Sequence, residues 1–403
     1  MSKERWLGLV GIGEDGIDGV VPAAQRLIAQ ADFVVGGKRH LALAGSLKAE
    51  TMAWPSPIEN ALDAIEERRA RSVCVLASGD PFFFGVGAML MRRFGPNEMI
   101  SIPSPSAFAL AASRLGWSQQ ECALLTLHGR PLEAIIPHLQ PKARILALSW
   151  DDATPAKLAT LLKARGMGRS RLTICEAMGG ARERIRTAEA QAFALNNVAA
   201  LNTIALEVVA ECDGRVLPRA AGLPDEWFEH DGQITKREIR AMTLSALAPR
   251  RGELLWDVGS GSGSVAIEWM LADPANSAVA IELRHDRAQR IARNALGLGA
   301  PSLSVVNGEA PHVFADLPGP DAIFIGGGAS APGVIDRAYD ALTAGGRLVV
   351  NAVTLETQAA CVEWRARWGG ELTQIAIAHA EPVGRYSGWR PAMPIVQWRL
   401  IKP

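Results

Sequence analysis

The sequence predicts an α/β fold arranged in two domains. Its 403 residues exceed the length that one hydrophobic core usually supports. In both halves, short apolar runs typical of buried strands alternate with stretches of helical periodicity, which favours sheets covered by helices. Residues 213–233 separate the halves and hold two prolines, three glycines and many charges without periodicity. We therefore predict a first domain over residues 1–212, a linker over 213–233 and a second domain over 234–403.

The composition is typical of a globular protein that acts on small molecules. Hydrophobic residues make up 48% of the chain and charged residues 21%, and no segment approaches the roughly 20 apolar residues that span a bilayer. The 42 basic and 42 acidic residues balance, which argues against a nucleic-acid partner. The apolar run over residues 6–12 is short and lacks a small-residue cleavage site. We expect a cytoplasmic protein with no membrane partner.

The cysteines indicate neither a disulfide framework nor a metal site. The chain has five of them, an odd number, and no two form a C-x-x-C pair. We therefore expect no metal and interpret the cysteines as buried apolar residues, at Cys74, Cys122, Cys175, Cys212 and Cys361.

The first domain is predicted to be α/β, because its apolar runs alternate with amphipathic helical stretches. Its candidate strands are residues 6–10, 72–77, 143–149, 171–176 and 202–209. No fixed period of about 20 to 50 residues recurs, which argues against a solenoid or a propeller.

The second domain is predicted to be a doubly wound sheet that ends in an antiparallel pair. Its first candidate strands alternate with helical stretches, as in a parallel sheet. These strands are residues 254–258, 278–282, 303–306, 321–325 and 347–351. Two further runs, residues 372–378 and 395–401, have only a loop rich in Pro, Gly and Trp between them. We therefore expect seven strands, of which the last two are antiparallel.

A glycine-rich loop over residues 257–263 follows an apolar strand and precedes the helical run 265–271. Glycines allow the backbone to approach a ligand closely. Gly259, Gly261 and Ser264 approximate a dinucleotide fingerprint, and Glu282 lies at about the 20-residue spacing expected of a ribose-binding acid. The glycine spacing leaves three interpretations open: a dinucleotide site, a methyl-donor site, and a plain strand-to-helix turn.

Three details resemble the Rossmann-like methyltransferase family: Asp257 before the glycines, the third glycine at Gly263, and the two-strand tail. This resemblance implies an S-adenosylmethionine site in which Glu282 accepts hydrogen bonds from both ribose hydroxyls. It also implies that Gly308, Glu309 and Ala310 flank the adenine. The loop residues implied to contact the donor are Gly259, Ser260, Gly261, Ser262 and Gly263.

Three segments of the second half carry a more specific resemblance. Residues 233–240 (QITKREIR), 307–311 (NGEAP) and 325–328 (IGGG) resemble the methyltransferase and decarboxylase domain of the cobalamin pathway. In that family, the threonine of the first segment reaches the donor. The resemblance therefore implies donor binding by Thr235.

The first half resembles the tetrapyrrole methylase family, whose signature stands here as residues 78–85 (SGDPFFFG). Residues 10–13, 127–130 and 176–180 support the resemblance. It implies a fold of two α/β lobes with S-adenosylmethionine folded in the cleft between them. The donor-binding residues that it implies are Gly11, Gly13, Ser78, Gly79, Asp80 and Pro81. The chain departs from the family pattern at residues 13–16, which read Gly-Glu-Asp-Gly where relatives have Gly-Pro-Gly.

The fusion of these two domains resembles that of the bifunctional corrin-pathway methyltransferases. It implies two S-adenosylmethionine sites and methylation of precorrin-6Y at carbons 5 and 15. It further implies that the ring C acetate leaves as carbon dioxide, which would give precorrin-8X in cobalamin biosynthesis. The resemblance of the second domain further implies a homo-oligomer, a tetramer by analogy.

The chemistry of methyl transfer requires alignment and desolvation rather than a nucleophilic residue, so we assign no catalytic residue. A substrate rich in carboxylates favours arginine clamps. Arg385 and Arg390 are candidates in the loop before the last strand, beside two aromatic residues, although a solvated loop explains them equally well. His128 and Arg130 are further substrate-binding candidates in the first half.

Other functions remain open at the level of the sequence. A methyltransferase acting on a different tetrapyrrole would use the same donor chemistry. An NAD-dependent oxidoreductase would need the glycine loop to hold a pyrophosphate. A protein that binds the donor without catalysis would show no turnover.

Overall fold

The computed structural model describes residues 5–403, which form two compact units. Unit 1 comprises the chain up to Leu132 together with His138–Val216. Unit 2 comprises Glu133–Pro137 and Leu217–Pro403. Each unit contains its own sheets and hydrophobic core.

Unit 1 contains two five-stranded sheets. Its strands are β1 Leu7–Ile12, β2 Phe33–Gly36, β3 Glu50–Ala53, β4 Val73–Ser78, β5 Met99–Ile102, β6 Cys122–Thr126, β7 Arg144–Leu148, β8 Arg171–Glu176, β9 Arg184–Glu189 and β10 Asn202–Glu207. Its helices are α1 Pro22–Gln30, α2 Lys38–Leu43, α3 Asn60–Glu66, α4 Gly87–Phe94, α5 Ala107–Leu115 and α6 Thr154–Ala164.

The first sheet of unit 1 is parallel, with the strand order β3-β2-β4-β1-β5. Every residue of β1 is buried, because helices cover both faces of a parallel sheet and its strands become continuous apolar runs. The second sheet has the order β6-β7-β10-β8-β9 and is antiparallel except for the β6–β7 pair.

The five strands predicted for the first half are confirmed as β1, β4, β7, β8 and β10. The sequence did not indicate the other five. Strands β2, β3 and β5 have only four residues each, and β9 reads Arg-Ile-Arg-Thr-Ala-Glu, with no apolar run and little burial. Short or polar strands of this kind are placed by pairing with their neighbours rather than by their own pattern.

Unit 2 contains one seven-stranded sheet and a separate hairpin. Its strands are β11 Leu254–Val258, β12 Ser277–Glu282, β13 Ser304–Asn307, β14 Ala322–Ile325, β15 Arg347–Ala352, β16 Glu371–Ile375, β17 Ala378–Val383, β18 Tyr386–Pro391 and β19 Ile395–Ile401. Its helices are α7 Arg237–Leu247, α8 Ser264–Ala272, α9 His285–Leu298, α10 Val334–Ala341 and α11 Leu355–Trp368.

The large sheet confirms the predicted architecture of the second half. Its order is β13-β12-β11-β14-β15-β19-β16, and the first five strands in chain order, β11 to β15, are parallel. Strand β19 lies antiparallel between β15 and β16. Trp256 in β11 and Trp398 in β19 are almost fully buried in the core that the helices and this sheet enclose.

Two expectations about local structure were wrong. The segment between β16 and β19 is not a loop, because β17 and β18 pair as an antiparallel hairpin with mostly exposed side chains. Among the cysteines, all of them free thiols, Cys212 is exposed and Cys122 is half-buried, and only the other three are buried. No helix within residues 5–403 combines the length and the apolar character needed to cross a bilayer.

Candidate active sites

A cavity of about 1190 Å³ lies in unit 2, at the carboxyl ends of strands β11, β12 and β14. The carboxyl ends of parallel strands meet at one edge of the sheet, where such folds bind ligands. Ile234 and the glycine run 326–328 also line this cavity. Among the predicted donor-binding residues, the lining includes Thr235, Gly259, Ser260, Gly261, Glu282 and Ala310.

Two loop glycines have clear packing reasons to be glycine. Gly259 and Gly263 both adopt left-handed backbone conformations, with φ of +69° and +79°. A Cβ on Gly259 would lie 2.7 Å from the carbonyl oxygen of Gly327, and a Cβ on Gly263 would lie 2.7 Å from Cγ2 of Ile291. Gly263 and its neighbour Ser262 do not line the cavity. Gly263 therefore allows helix α9 to approach the loop, and Gly259 brings two glycine segments of the cavity wall together.

Asp257 is a buried carboxylate directly beneath the glycine loop. Its Oδ2 accepts hydrogen bonds from the Ser260 hydroxyl at 2.7 Å and from the Ala266 amide at 3.1 Å. Its Oδ1 is buried and has no hydrogen-bond partner in the described part of the chain. Burial, together with the nearby Glu282 charge, raises the pKa of Asp257 to about 6. The ionised form of Asp257 is therefore less stable in this buried position beside the glycines than it would be in water.

Glu282 ends strand β12 and orients the glycine loop from the opposite side. One carboxylate oxygen accepts a hydrogen bond from the Gly261 amide at 2.9 Å, and the other accepts one from the Arg284 amide at 3.0 Å. A carboxylate has about four acceptor positions, so two remain for a ligand. The structure therefore places Glu282 where it can hold a diol beside the loop.

A fully buried ion pair, which the sequence did not indicate, fixes the segment before helix α7. The Arg240 guanidinium donates to the Glu268 carboxylate at 2.5 Å and to the Thr235 carbonyl at 2.6 Å. It also donates to the Leu223 carbonyl and to Asp225, the latter at 3.2 Å. The backbone of the predicted donor contact Thr235 is thereby held by a side chain one turn into the helix.

Glu268 completes this network from helix α8, which begins at the glycine loop. Its two carboxylate oxygens accept hydrogen bonds from the Gly222 amide at 2.6 Å and from the Leu223 amide at 2.9 Å. Buried ion pairs of this kind add little net stability, because desolvation offsets the attraction, but they fix geometry. The Arg240–Glu268 pair therefore couples the Thr235 segment to the helix of the glycine loop.

The second cavity, of about 790 Å³, lies in unit 1 at the carboxyl ends of β1 and β4. The predicted residues that line it are Gly13, Ser78, Gly79, His128 and Arg130.

Gly11, Asp80 and Pro81 support this cavity without lining it. A Cβ on Gly11 would lie 1.8 Å from the Gly79 carbonyl oxygen, so the glycine allows the loop after β4 to cross the end of β1. The Asp80 carboxylate accepts from the Phe82 amide at 2.9 Å, and the Pro81 carbonyl accepts from the Gly87 amide at 2.8 Å. These residues shape the turn that carries the cavity wall.

A polar cluster of four side chains lies on the wall of this cavity. The Arg39 guanidinium forms an ion pair with Glu14 and donates to the Ser78 hydroxyl at 2.9 Å. His40 Nε2 lies 2.8 Å from the same hydroxyl and 2.9 Å from Arg39 Nη2. Sequence reasoning identified only Ser78, because Glu14 follows β1, Arg39 and His40 follow β2, and none of the three belongs to a recognised motif.

His40 is neutral at physiological pH in this arrangement. Burial and the adjacent Arg39 charge lower its pKa to about 4, against a smaller opposing effect of Glu14. An arginine can only donate, so the ring nitrogen that faces it acts as an acceptor. The cluster therefore holds one carboxylate, one guanidinium and an uncharged imidazole.

The other predicted substrate-binding residues have different surroundings in the two units. The His128 ring lies 6.4 Å from that of Trp150, which is 56% exposed and also lines the unit 1 cavity. Arg385 and Arg390 lie on the β17–β18 hairpin and do not line the unit 2 cavity. The Arg390 guanidinium donates to Glu381 at 2.8 Å. The structure does not bring these two arginines together with the donor-site residues.

Comparison with known proteins identifies the family of this chain. Residues 7–194 match the family described as Tetrapyrrole (Corrin/Porphyrin) Methylases, and residues 226–402 match a Precorrin methyltransferase domain. The precorrin-6Y C(5,15)-methyltransferase [decarboxylating] of Sinorhizobium sp is 56% identical over 398 residues, which cover 98% of this chain and 96% of that protein. The chain belongs to the family of decarboxylating precorrin methyltransferases. This membership makes the chain a methyltransferase and excludes the NAD-dependent oxidoreductase that the sequence left open.

Two shorter relatives match parts of the chain. A cobalt-precorrin-7 C(5)-methyltransferase from Salmonella typhimurium is 33% identical over 179 residues, 44% of this chain and 88% of that protein. A probable cobalt-precorrin-6B C(15)-methyltransferase (decarboxylating) from Pyrobaculum calidifontis is 39% identical over 173 residues, 41% of this chain and 88% of that protein. Methyltransferases of this family use S-adenosylmethionine.

Proposed function

We propose that this chain methylates precorrin-6Y at carbons 5 and 15 and removes the ring C acetate as carbon dioxide, giving precorrin-8X for cobalamin biosynthesis. Unit 1 transfers the methyl group to carbon 5, and unit 2 transfers the other to carbon 15 and decarboxylates. Each unit binds its own S-adenosylmethionine. As part of the same proposal, the enzyme is a homo-oligomer.

The observation that carries the proposal is that each unit has a separate large cavity lined by its own set of predicted donor-binding residues. The names of the two shorter relatives assign one methylation to each of two separate proteins, each matched over a stretch about as long as one unit. A fusion of the two activities in one chain is consistent with both observations.

The charges of the unit 2 cavity support binding of a cationic donor. Its lining holds five carboxylates and three basic side chains. The acidic residues are Asp225, Glu226, Glu238, Glu282 and Glu309, and the basic residues are Lys236, Arg237 and Arg287. A surplus of negative charge in a cavity with low-dielectric walls attracts a sulfonium cation.

Methyl transfer needs the chain to align and desolvate two bound molecules. The π electrons of an enamine carbon form the new bond to the methyl group, and the electrons of the broken C–S bond return to sulfur. The positive charge passes to the macrocycle, which then loses a proton in unit 1 and carbon dioxide in unit 2. In unit 2, Glu282 would hold the ribose hydroxyls and the Thr235 segment would close over the donor, so that the sulfonium faces the substrate.

Decarboxylation requires an electron sink, which the substrate itself provides. In unit 2 the methylated ring system keeps its positive charge until the carbon–carboxylate bond of the acetate breaks, and that electron pair then neutralises it. The exocyclic methylene left behind takes up a proton while the ring loses one, which gives a methyl group in place of the acetate. Methylation of carbon 15 and loss of carbon dioxide are therefore coupled within unit 2.

The test uses the full chain with one site disabled at a time and a ¹³C-methyl donor. Gly79→Val in unit 1 places a branched side chain at a left-handed position, 2.9 Å from the Pro105 carbonyl oxygen. This variant should still methylate carbon 15 and release carbon dioxide. Glu282→Ala in unit 2 should release none. NMR of the product locates each methyl group, and circular dichroism confirms folding. Carbon dioxide release by Glu282→Ala at the parent rate would contradict the assignment.

A further inference from the structure

Arg39 is a charged residue of the unit 1 cavity to which the proposed function assigns no task. It follows strand β2, and β2 lies beside β4 in the parallel sheet, with β1 on the other side of β4. The carboxyl ends of these three strands lie at one edge of the sheet. Glu14 after β1, Arg39 after β2 and Ser78 at the end of β4 therefore meet there. The Arg39 side chain is 36% exposed and lines the cavity.

The guanidinium of Arg39 is held in one orientation by its neighbours. Its partner Glu14 has a side chain only 7% exposed, so the ion pair is anchored in the protein rather than in solvent. Arg39 makes three hydrogen bonds, one each to Glu14, His40 and the Ser78 hydroxyl. Arginine has five N–H groups, so two remain without a partner among residues 5–403.

The cavity around Arg39 carries a net positive charge. Its lining holds one carboxylate, Glu14, against the two guanidinium groups of Arg39 and Arg130. Glu14 is already paired with Arg39, and Arg182 approaches it at 3.6 Å from outside the lining. The low pKa of His40 keeps its imidazole neutral, so the histidine neither repels Arg39 nor competes for an anion. A carboxylate entering this cavity meets two guanidinium groups and no unpaired acid.

We propose that Arg39 is the carboxylate-binding residue of the unit 1 site and that Glu14, Ser78 and His40 are its positioning residues. Nη2 donates both of its hydrogens, to His40 and Ser78, and Nη1 donates one to Glu14. The guanidinium is thereby fixed, and each of its two remaining N–H groups, on Nε and Nη1, can donate a single charge-assisted hydrogen bond to a carboxylate. Two molecules of the proposed reaction offer this group: the α-carboxylate of the methyl donor and the acidic side chains of the tetrapyrrole. The inference rests on the proposed function only for the identity of these two ligands.

The test compares Arg39→Gln with Arg39→Lys in the full chain. Arg39→Gln removes a charged hydrogen-bond donor, so the KM of the molecule that it holds should rise roughly ten- to hundred-fold, with a smaller change in kcat. Arg39→Lys keeps the charge and should recover part of the affinity. A rise in the KM of the donor assigns the donor carboxylate, and a rise in the KM of the tetrapyrrole assigns a substrate carboxylate. If Arg39 holds the carboxylate of the methyl donor, inhibition by 5′-methylthioadenosine should be the same in parent and variant, because this inhibitor lacks a carboxylate.

Arg182→Gln is the matched control, because Arg182 also approaches Glu14 but lies outside the cavity lining. It should leave both KM values unchanged. Affinity for the tetrapyrrole is also measured directly, by quenching of tryptophan fluorescence in the presence of S-adenosylhomocysteine. The ratio of tetrapyrrole affinities between variant and parent does not depend on turnover. A labelled parent product without a methyl group on carbon 5 would refute the proposed function, and the affinity ratio would still test the role of Arg39. Folded Arg39→Gln with parent values for both KM and binding would overturn the role of Arg39.

Discussion

Replacing Asp257 by asparagine should stabilise unit 2 at neutral pH while weakening its donor site. The carboxylate is buried, one of its oxygens has no partner in the described part of the chain, and its pKa is raised from 3.8 to about 6. A rise of roughly two pKa units corresponds to about 3 kcal/mol of unfavourable free energy in the charged form. Asparagine keeps an acceptor for Ser260 and Ala266 but carries no charge.

The pH dependence of this gain follows from the direction of the shift. The folded protein holds the proton of Asp257 more tightly than the unfolded chain does, so ionisation penalises folding. The penalty is absent well below pH 3.8, grows as the pH rises and is complete above pH 6. Asp257→Asn should therefore raise the stability of unit 2 by about 1 to 3 kcal/mol at pH 8, after the weaker hydrogen bond to Ser260 is subtracted. At pH 4 the gain should be nearly absent.

The assay is thermal unfolding at both pH values, measured by calorimetry. A parallel measurement follows the fluorescence of the buried unit 2 residues Trp256 and Trp269. Asp286→Asn is a control, because this carboxylate is exposed and Arg284 lowers its pKa. It should give no gain at pH 8. A loss of stability in Asp257→Asn at pH 8, or a gain of equal size at both pH values, would refute the reasoning. Binding of S-adenosylhomocysteine to unit 2 should weaken in the same variant.

Three further variants test the packing and the buried charges. Gly263→Ala should destabilise unit 2 by about 2 to 4 kcal/mol in denaturant unfolding, because it combines a left-handed backbone with a 2.7 Å approach to helix α9. The double variant Arg240→Met with Glu268→Leu should lower the Tm, because the Gly222 and Leu223 amides lose their buried acceptor. It should also lower donor affinity about ten-fold in calorimetry, since the Thr235 segment loses its anchor. Glu176→Gln should lower the free energy of unfolding of unit 1 by about 3 kcal/mol at pH 7. Despite its burial, hydrogen bonds from arginines and a backbone amide lower the pKa of Glu176 to about 2, so the parent should lose this contribution as the pH falls from 4.5 towards 2 and the variant should not.

A second ion pair of unit 2, in which the arginine is buried and the glutamate is half-buried, is the matched control for the double variant. The Arg347 guanidinium donates to the Glu253 carboxylate at 2.5 and 2.7 Å, and neither residue lines the cavity. Arg347→Met with Glu253→Leu should leave donor affinity unchanged. Equal losses of affinity in both double variants would indicate a general effect of removing buried charge and would contradict a positioning role for Arg240.

The sequence predicted the elements whose pattern is local. All seven strands of the large sheet were indicated. The first five are distinct apolar runs that alternate with helices, and the last two are strand-like runs at the end of the chain with no helix between them. Glu282 could be placed beside the glycine loop for the same reason, since its spacing from the glycines is set by one strand, one helix and the next strand. The β17–β18 hairpin could not be predicted, because its exposed side chains give no alternation.

The functional side chains that sequence reasoning missed are those assembled from distant segments. Glu14, Arg39 and His40 are up to 64 positions away from the predicted residue Ser78, and they meet it only because β1, β2 and β4 are neighbours in a parallel sheet. Gly263 shows a second reason for a motif glycine: the structure shows a packing requirement against Ile291, and its contact with the donor stays a prediction. A glycine in a motif can serve the ligand or the neighbouring helix, and its spacing alone does not tell which.

The most direct test of the two-site enzyme is a titration of the full chain with S-adenosylhomocysteine in a calorimeter. Two independent cavities predict two equivalents bound per chain, and one equivalent in the Glu282→Ala variant. Saturation of the parent chain at a single equivalent would contradict the account.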